Sequence, residues 1–359
     1  MQAYCLQKLL QSLRPEARIE VIDCRSSKIE KKEFLKCFIR RPPFINMWQW
    51  NKRAKLRSFL RSHMILSPKA CVTDTIQKAI RFISDRKYDA IVVGSDTVWR
   101  IRAENGEVVV PSLYYLPGIH ASRKVAFAAS LDMTDGALLS ESRKHLLSSL
   151  IRDFDFVSVR DEMSMRYLKE FGLDGKGLFF MPDPTVLWDF SSIVQTPKDF
   201  FHDSRLAGVA VPDELMRKRL TEILQKKNYR VVNFLGSPVE GQVPIPQHYT
   251  LQKRLGVYRL LRIMVTDRFH SSIFTFKLGG VPVILLENAD KYPADVMSKG
   301  RDLFHRLGIE WSVCRYSKEN FEIKMIDKML NDWERIKPDI ESGLSRLKLD
   351  AAAYLDKII

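Results

Sequence analysis

Short apolar runs of strand length alternate along this chain with amphipathic stretches of helical length. Ala90–Val93, Lys124–Ala129, Phe156–Val159 and Leu178–Met181 read as buried strands. Thr73–Ser84, with Ile76, Ile80 and Ile83 along one side, reads as a helix, as do Ser140–Ile151 and Met163–Phe171. The pattern restarts with strand Ala207–Val211, helix Asp213–Lys227, strand Tyr229–Leu235 and a Pro/Gly loop over Gly236–Tyr249. A helix over Leu251–Met264 is expected next, then a strand ending at Val265–Thr266, a helix ending at Gly279–Gly280, and strand Val281–Leu286. Beyond a loop over Lys291–Gly300, helices are expected at Arg301–Leu307, Asn320–Arg335 and Lys337–Ile359. Such alternation predicts the α/β class with parallel sheets.

The opening fits that scheme least. Met1–Leu13 reads as a helix with Leu6, Leu9, Leu10 and Leu13 on one face, and Ile19–Ile22 as a strand. Doubly wound domains usually open with a strand and a Gly-rich turn. Either this fold begins with a helix, or an N-terminal strand is missing from the chain.

Length and composition allow two cores in 359 residues. Pro182-Asp183-Pro184-Thr185 stiffens the chain and suits a boundary. The expected division is 1–185, 186–320, and C-terminal helices over 321–359 that pack back on the first domain. No apolar run reaches the roughly 18 residues of a membrane span, and the start lacks a signal-peptide shape. Five scattered cysteines without a Cys-x-x-Cys pair fit a reducing cytoplasm and offer no zinc site.

Charge is concentrated in one stretch. Between Arg25 and Lys69 stand 13 Lys or Arg against Glu30 and Glu33, a net of +11 out of +15 for the whole chain. Phe38, Ile39, Phe44, Ile45, Met47, Trp48 and Trp50 are interleaved with them. Residues 25–69 therefore read as an insertion of one of two kinds. Its aromatics pack inward and its charges are solvated, or Trp48 and Trp50 meet a membrane interface. No helix-turn-helix, finger or RNP pattern accompanies the basic run, so nucleic acid is not expected.

Candidate chemistry sits where strands give way to turns. In open parallel sheets ligands gather beyond the carboxyl ends of strands. Gly94-Ser95-Asp96 offers a hydroxyl and a carboxylate there, and Ser130 ends the next strand. Arg160 follows Val159, with a surface pair to Asp161 as the plain alternative. Asp267, Arg268 and His270 follow Thr266. Arg268 and His270 would make an anion-binding corner, because a guanidinium grips phosphate or carboxylate as a fork and an imidazole moves protons. The plain alternative there is that Asp267 caps the helix and Arg268 pairs with it.

Five stretches taken in order resemble the polysaccharide pyruvyl transferase family: YDAIVVGSDTVW (88–99), KVAFAAS (124–130), VSVRDEMS (157–164), DPTVL (183–187) and TDRFHSSIF (266–274). The resemblance spans the chain apart from residues 25–69. It implies two Rossmann-like domains facing a cleft, in a GT-B-like arrangement. It also implies transfer of pyruvyl from phosphoenolpyruvate (PEP) to a sugar of a cell-surface glycan or exopolysaccharide, as a ketal. By the same resemblance Arg160 and Arg268 would hold PEP, with Phe269 alongside; Ser95 and Ser130 are added as donor-site candidates by their place at strand ends. His270 would be the first proton carrier and Asp96 the second. No metal or further cofactor is expected, and a lipid-linked oligosaccharide acceptor would place the work at the inner membrane face. Ser271 and Arg100 stand where relatives more often have Gly and Asn. The competing readings are a nucleotide-sugar glycosyltransferase of the same fold, with Glu287 for the ribose, and a non-catalytic glycan- or membrane-binding assembly protein.

Overall fold

A computed structural model describes residues 1–37, 47–101, 103–104, 107–108, 112–131, 139–173, 177–200, 205–317 and 325–358. The chain divides into two compact units: Met1–Trp188 with Leu347–Ile359, and Asp189–Arg346. Both are Rossmann-like, with helices packed around a parallel sheet.

In the first unit, helix α1 (Gln2–Leu13) buries Leu6, Leu9 and Leu10. Strand β1 (Cys24–Arg25) precedes helices α2 (Ser27–Leu35) and α3 (Met47–His63), and strand β2 (Cys71–Val72) follows them. Helix α4 (Ile76–Ser84) then leads to β3 (Ala90–Asp96), a small hairpin of β4 (Ala103–Glu104) and β5 (Glu107–Val108), and β6 (Arg123–Ala129). After these come α5 (Glu141–Arg152), β7 (Phe156–Val159), α6 (Glu162–Glu170), β8 (Leu178–Phe180) and α7 (Pro184–Leu187). The main sheet has the order β3-β6-β7-β8, all parallel.

Side-chain alternation covers both faces of that sheet. Ile91, Val93 and Ala126 join a core with Trp99, Leu147 and Ile151. Val125 and Phe127 join another with Leu6, Leu9, Leu10 and Ala351. Because both faces are covered, β6 is buried almost end to end and reads as one apolar run.

The second unit holds β9 (Leu206–Ala210), α8 (Glu214–Lys226), β10 (Arg230–Asn233) and β11 (Gln242–Pro244). Then follow α9 (Leu251–Gly256), β12 (Leu261–Thr266), α10 (Phe269–Phe274), β13 (Val283–Asn288), α11 (Lys299–Arg306) and β14 (Val313–Tyr316). The sheet order is β11-β10-β9-β12-β13-β14, again parallel throughout. Helix α12 (Met325–Ile358) ends the chain, and its last turns, from Leu347, cluster with the first unit.

The α/β expectation holds, and four local readings need correction. The expected helix over Leu251–Met264 stops at Gly256, passes through a 3-10 turn over Val257–Leu260, and gives way to β12. Gly256 lies so close to Gln195 that a Cβ there would come within 2.0 Å of its carbonyl oxygen. The C-terminal helices are one helix, with Pro338 inside it. Val21 makes only an isolated bridge to Leu66, and the extended pairing falls instead at Cys24–Arg25 against Cys71–Val72. Residues 25–69 contain α2 and α3, which charge alone did not reveal. Phe38, Ile39, Phe44, Ile45 and the side chains of Met47 and Trp48 lie outside the described residues.

A buried glutamine organises the base of that segment. The Gln7 side-chain amide donates to the carbonyls of Ile19 (3.0 Å) and Ile65 (2.8 Å) and accepts from the Ile65 N–H (3.1 Å). A buried amide so matched is neutral to stability at worst, whereas an unmatched one would cost about 1–3 kcal/mol.

Gly94 is the tightest point of the first sheet. Its φ is +145°, and a Cβ would sit 1.9 Å from the Phe127 carbonyl oxygen on the neighbouring strand. Neither clash nor conformation can be relieved by a rotamer change. Gly94→Ala should therefore destabilise the first unit by about 3 kcal/mol. Thermal or urea unfolding measures it; a midpoint equal to that of the unaltered protein would contradict the packing described.

Candidate functional site

In each unit the polar side chains collect at the carboxyl edge of the sheet. In the first, Arg160 follows β7 with no exposed side-chain surface. Its guanidinium donates to Asp183 Oδ2 (2.5 Å) and Asp96 Oδ1 (2.9 Å). Burial works against its charge, but Asp183, Asp96 and Asp161 outweigh that and hold its pKa above the ordinary value. Asp183, itself buried, caps α7 through the Thr185 N–H (2.9 Å) and takes the Thr185 hydroxyl (2.7 Å) and the Gln2 amide (3.1 Å). Asp161 does not pair with Arg160 on the surface. It is buried, caps α6 through the Ser164 N–H (2.8 Å), and accepts the Ser130 hydroxyl (2.6 Å).

These contacts tie together the ends of all four strands: Asp96 from β3, Ser130 from β6, Arg160 from β7, and Asp183 just after β8. They also sort the expected site residues. Arg160 and Ser130 are enclosed, with their polar ends committed to protein carboxylates. Asp96 is the open end of the chain of charges, its side chain 48% exposed. It sits at φ +146°, where few residues bearing a side chain are found. Beside it the Ser95 hydroxyl is buried and has no hydrogen-bond partner among the described residues. A buried hydroxyl in that state is suited to a ligand or a water molecule.

In the second unit the edge is formed by the ends of β9, β12, β13 and β14. Arg268 occupies the capping position of α10, with its N–H bonded to Thr266 Oγ1 (2.9 Å). Asp267 is not the cap. Its Oδ1 lies 3.0 Å from Arg268 Nε as an ion pair. The Arg268 side chain is 47% exposed, so its outer face is presented to solvent. Phe269 is buried, and His270 stands edge-on to the Phe269 ring (5.2 Å between centroids). The helix continues as a π-helical turn over Thr275–Gly279 and stops at Gly280, whose φ of +57° suits glycine.

Burial pushes the Asp267 carboxyl above its ordinary pKa, with Arg268 and Lys291 pulling the other way. Tyr316, at the end of β14, is raised by burial and then by the charges of Asp267 and Asp213. Asp213 follows β9, so four strand ends contribute to one electrostatic neighbourhood. Glu287 does not join it. It is buried, with Oε2 paired to Arg315 (3.1 Å) and Oε1 accepting from the Ser298 N–H (3.2 Å). That leaves no open carboxylate at Glu287 for a ribose.

Sequence reasoning passed over Asp183, quoted in a motif but given no role, and Tyr316. Asp183 had a signal: an Asp before Pro and Thr is a helix-capping pattern. Tyr316 had none, since β14 is a four-residue strand without alternation. Among the described residues no cluster of three or more His, Cys, Asp or Glu has the makings of a metal site. None of the described helices is long and apolar enough to cross a membrane.

Parallel sheets carrying charged and hydroxyl side chains at their carboxyl edges define a two-unit Rossmann-like α/β protein. The chain belongs to the polysaccharide pyruvyl transferase family, whose model matches residues 1–290. It is a family of transferases. No curated protein matches the chain. Among solved structures it is similar to the glycotransferase of kitacinnamycin, at 11% identity and TM-score 0.45 over 98% of this chain and 92% of that one. It is similar to UDP-N-acetylglucosamine 2-epimerase from Rickettsia bellii, at 12% identity and TM-score 0.47 over 99% and 95%. The Streptomyces sp. SF2575 glycosyltransferase SsfS6 matches at 14% identity and TM-score 0.42 over 98% and 92%.

The raised Asp267 carboxyl has a consequence for pH. A carboxylate whose native pKa exceeds its unfolded value costs stability once ionised, and costs nothing below the unfolded pKa. Asp267→Asn should therefore raise the melting temperature at pH 7, since the half-exposed Arg268 pair it removes is worth little. The difference should close as pH falls through about 4, the ordinary Asp range. Melting curves between pH 3 and 8 check this; a difference that persists at pH 3 would assign it to packing instead of charge.

Proposed function

We propose that this chain transfers the pyruvyl group of PEP to a sugar of a polysaccharide or lipid-linked oligosaccharide, forming a cyclic ketal. One observation carries the reading: in a member of this family, the guanidinium of Arg268 stands half-exposed at a parallel-sheet edge, two residues from His270. PEP presents a carboxylate and a phosphate, and a guanidinium binds either as a two-pronged donor.

The reaction requires four changes at the donor. The methylene carbon gains a proton and becomes methyl. A sugar hydroxyl bonds to C2, the C2–O bond to phosphate breaks, and a second hydroxyl completes the ketal. Of the two hydroxyl protons released, one balances the new C–H bond and the other leaves with phosphate. His270 is assigned that proton traffic, because an imidazole exchanges protons near neutral pH. Asp96 is the second candidate for it, and Ser95 supplies a buried hydroxyl next to it. Arg160 is assigned a positioning role. It is enclosed and fixes Asp96, in place of the direct contact with PEP expected of it. Ser130 likewise acts through Asp161, and buried Phe269 packs edge-on to His270. No cofactor or metal is invoked, since PEP carries the reactive group.

Two measurements test this. PEP should raise the melting temperature while UDP- and GDP-sugars do not; the reverse result points to a glycosyltransferase. Arg268→Lys keeps the charge but loses the fork, and should weaken PEP binding by about 10- to 150-fold, or roughly 1.5–3 kcal/mol. An unchanged dissociation constant in calorimetry would reduce Arg268 to a neighbour of Asp267.

His270→Gln separates binding from chemistry. It should leave PEP affinity within a few-fold while phosphate release at saturating PEP drops by about 10²–10⁴. Lost binding with turnover retained at saturation would make His270 a ligand of the phosphate.

A further inference from the structure

Exposed apolar surface is unevenly distributed on this chain. Of eleven large hydrophobic side chains exposed among the described residues, seven lie between Ile29 and Val72. Helix α2 presents Ile29, Phe34 and Leu35, and α3 presents Trp50 and Leu56, each 47–63% exposed. Single exposed hydrophobics are ordinary, but a concentration of them marks an interaction surface.

The same two helices carry the basic excess. Lys28, Lys31, Lys32 and Lys36 are exposed on α2, as are Lys52, Arg57 and Arg61 on α3. Glu30 is the joint between the helices, accepting from Arg53 and lying 3.2 Å from Arg25 and 3.4 Å from Arg57. Phe34 and Trp50 form the apolar side of an open groove of about 520 Å³, with Arg53, Arg57 and Arg61 among its other walls. Apolar and cationic groups are thus mixed on the exposed sides of the same two helices.

We infer that the α2–α3 surface docks on an anionic lipid membrane. Nine Lys or Arg against Glu30 and Glu33 over residues 27–36 and 47–63, a net of +7, call for a negative partner, and aliphatic Ile29, Leu35 and Leu56 call for one that accepts hydrocarbon. Anionic lipid offers both at once, with headgroup depth favouring Trp. Nucleic acid would match the charge and stack on Trp50 and Phe34, but it has no place for the aliphatic side chains. Since no described helix can cross a bilayer, the contact lies in the interface plane. This goes beyond the pyruvyl-transfer reading and does not depend on it.

Sedimentation with sucrose-loaded vesicles tests the inference, using the full chain at low and high salt. Vesicles containing roughly one-third phosphatidylglycerol should pellet the protein at low salt, and neutral phosphatidylcholine vesicles should not. Raising salt well above 0.1 M, where screening sets in within about 10 Å, should cut the partition coefficient at least tenfold. Arg57→Glu/Arg61→Glu should lower it about as much, and Trp50→Ala should lower it with the salt dependence kept. Circular dichroism and the melting temperature establish that each variant is folded. Equal pelleting with both lipids, or with neither, overturns the proposal. So does binding to single-stranded RNA without binding to anionic vesicles.

Discussion

A guanidinium with no exposed surface, gripped between two carboxylates, is the fastening on which the first unit depends. Removing one partner of a buried pair leaves an uncompensated charge and typically costs about 3–5 kcal/mol, far more than the same contact on a surface. Here the contact also does geometric work. Parallel strands have no hairpins to fix their ends against one another, and their carboxyl ends are where function usually sits. Asp96, Arg160 and Asp183, with Ser130 and Asp161 beside them, join four such ends through charge and hydrogen bonds. The result is one partly exposed carboxylate, Asp96, on a mounting that is otherwise enclosed.

The second unit solves the same problem with less charge. Its strands β9, β12 and β13 are buried nearly throughout, and their ends are joined by the Glu287–Arg315 pair between β13 and β14 and by the Thr266 hydroxyl donating to the Ala210 carbonyl. That leaves Arg268 free of structural duty beyond its contact with Asp267. The two arginines, similar in sequence setting, have therefore diverged in role. One is an internal strut and the other an outward-facing donor. Exposure decides between them: a guanidinium sealed between carboxylates presents no surface to a ligand, whereas a half-exposed one presents its outer face.

Much of this was legible beforehand where physics is local. Continuous apolar runs identified most strands because both sheet faces are covered. The Arg268–Asp267 contact was visible because its members are adjacent in sequence. The partners of Arg160 were not legible, for the opposite reason. Its true partners lie 23 and 64 residues away, and nothing in one sequence says which distant Asp will reach a buried Arg. The helix expected over Leu251–Met264 failed because leucine- and isoleucine-rich runs suit helix and strand alike. Gly256 was the available sign of a stop. The break expected between Arg335 and Lys337 is absent, and the helix carries Pro338 because a long helix can tolerate one missing backbone donor.

One feature at the base of α2 and α3 bears on how such a protein changes over time. Cys24 and Cys71 are directly opposite each other in adjacent parallel strands, and Gln7 clasps Ile65 just before the second of them. The chain leaves the body of the first unit and returns to it about one strand spacing, roughly 4.8 Å, from where it left. Whatever lies between those points can be lengthened, shortened or exchanged without shifting the register of the main sheet. The basic, apolar surface is thus an attachment that can be altered by insertion and deletion, while the strand ends below it keep their geometry.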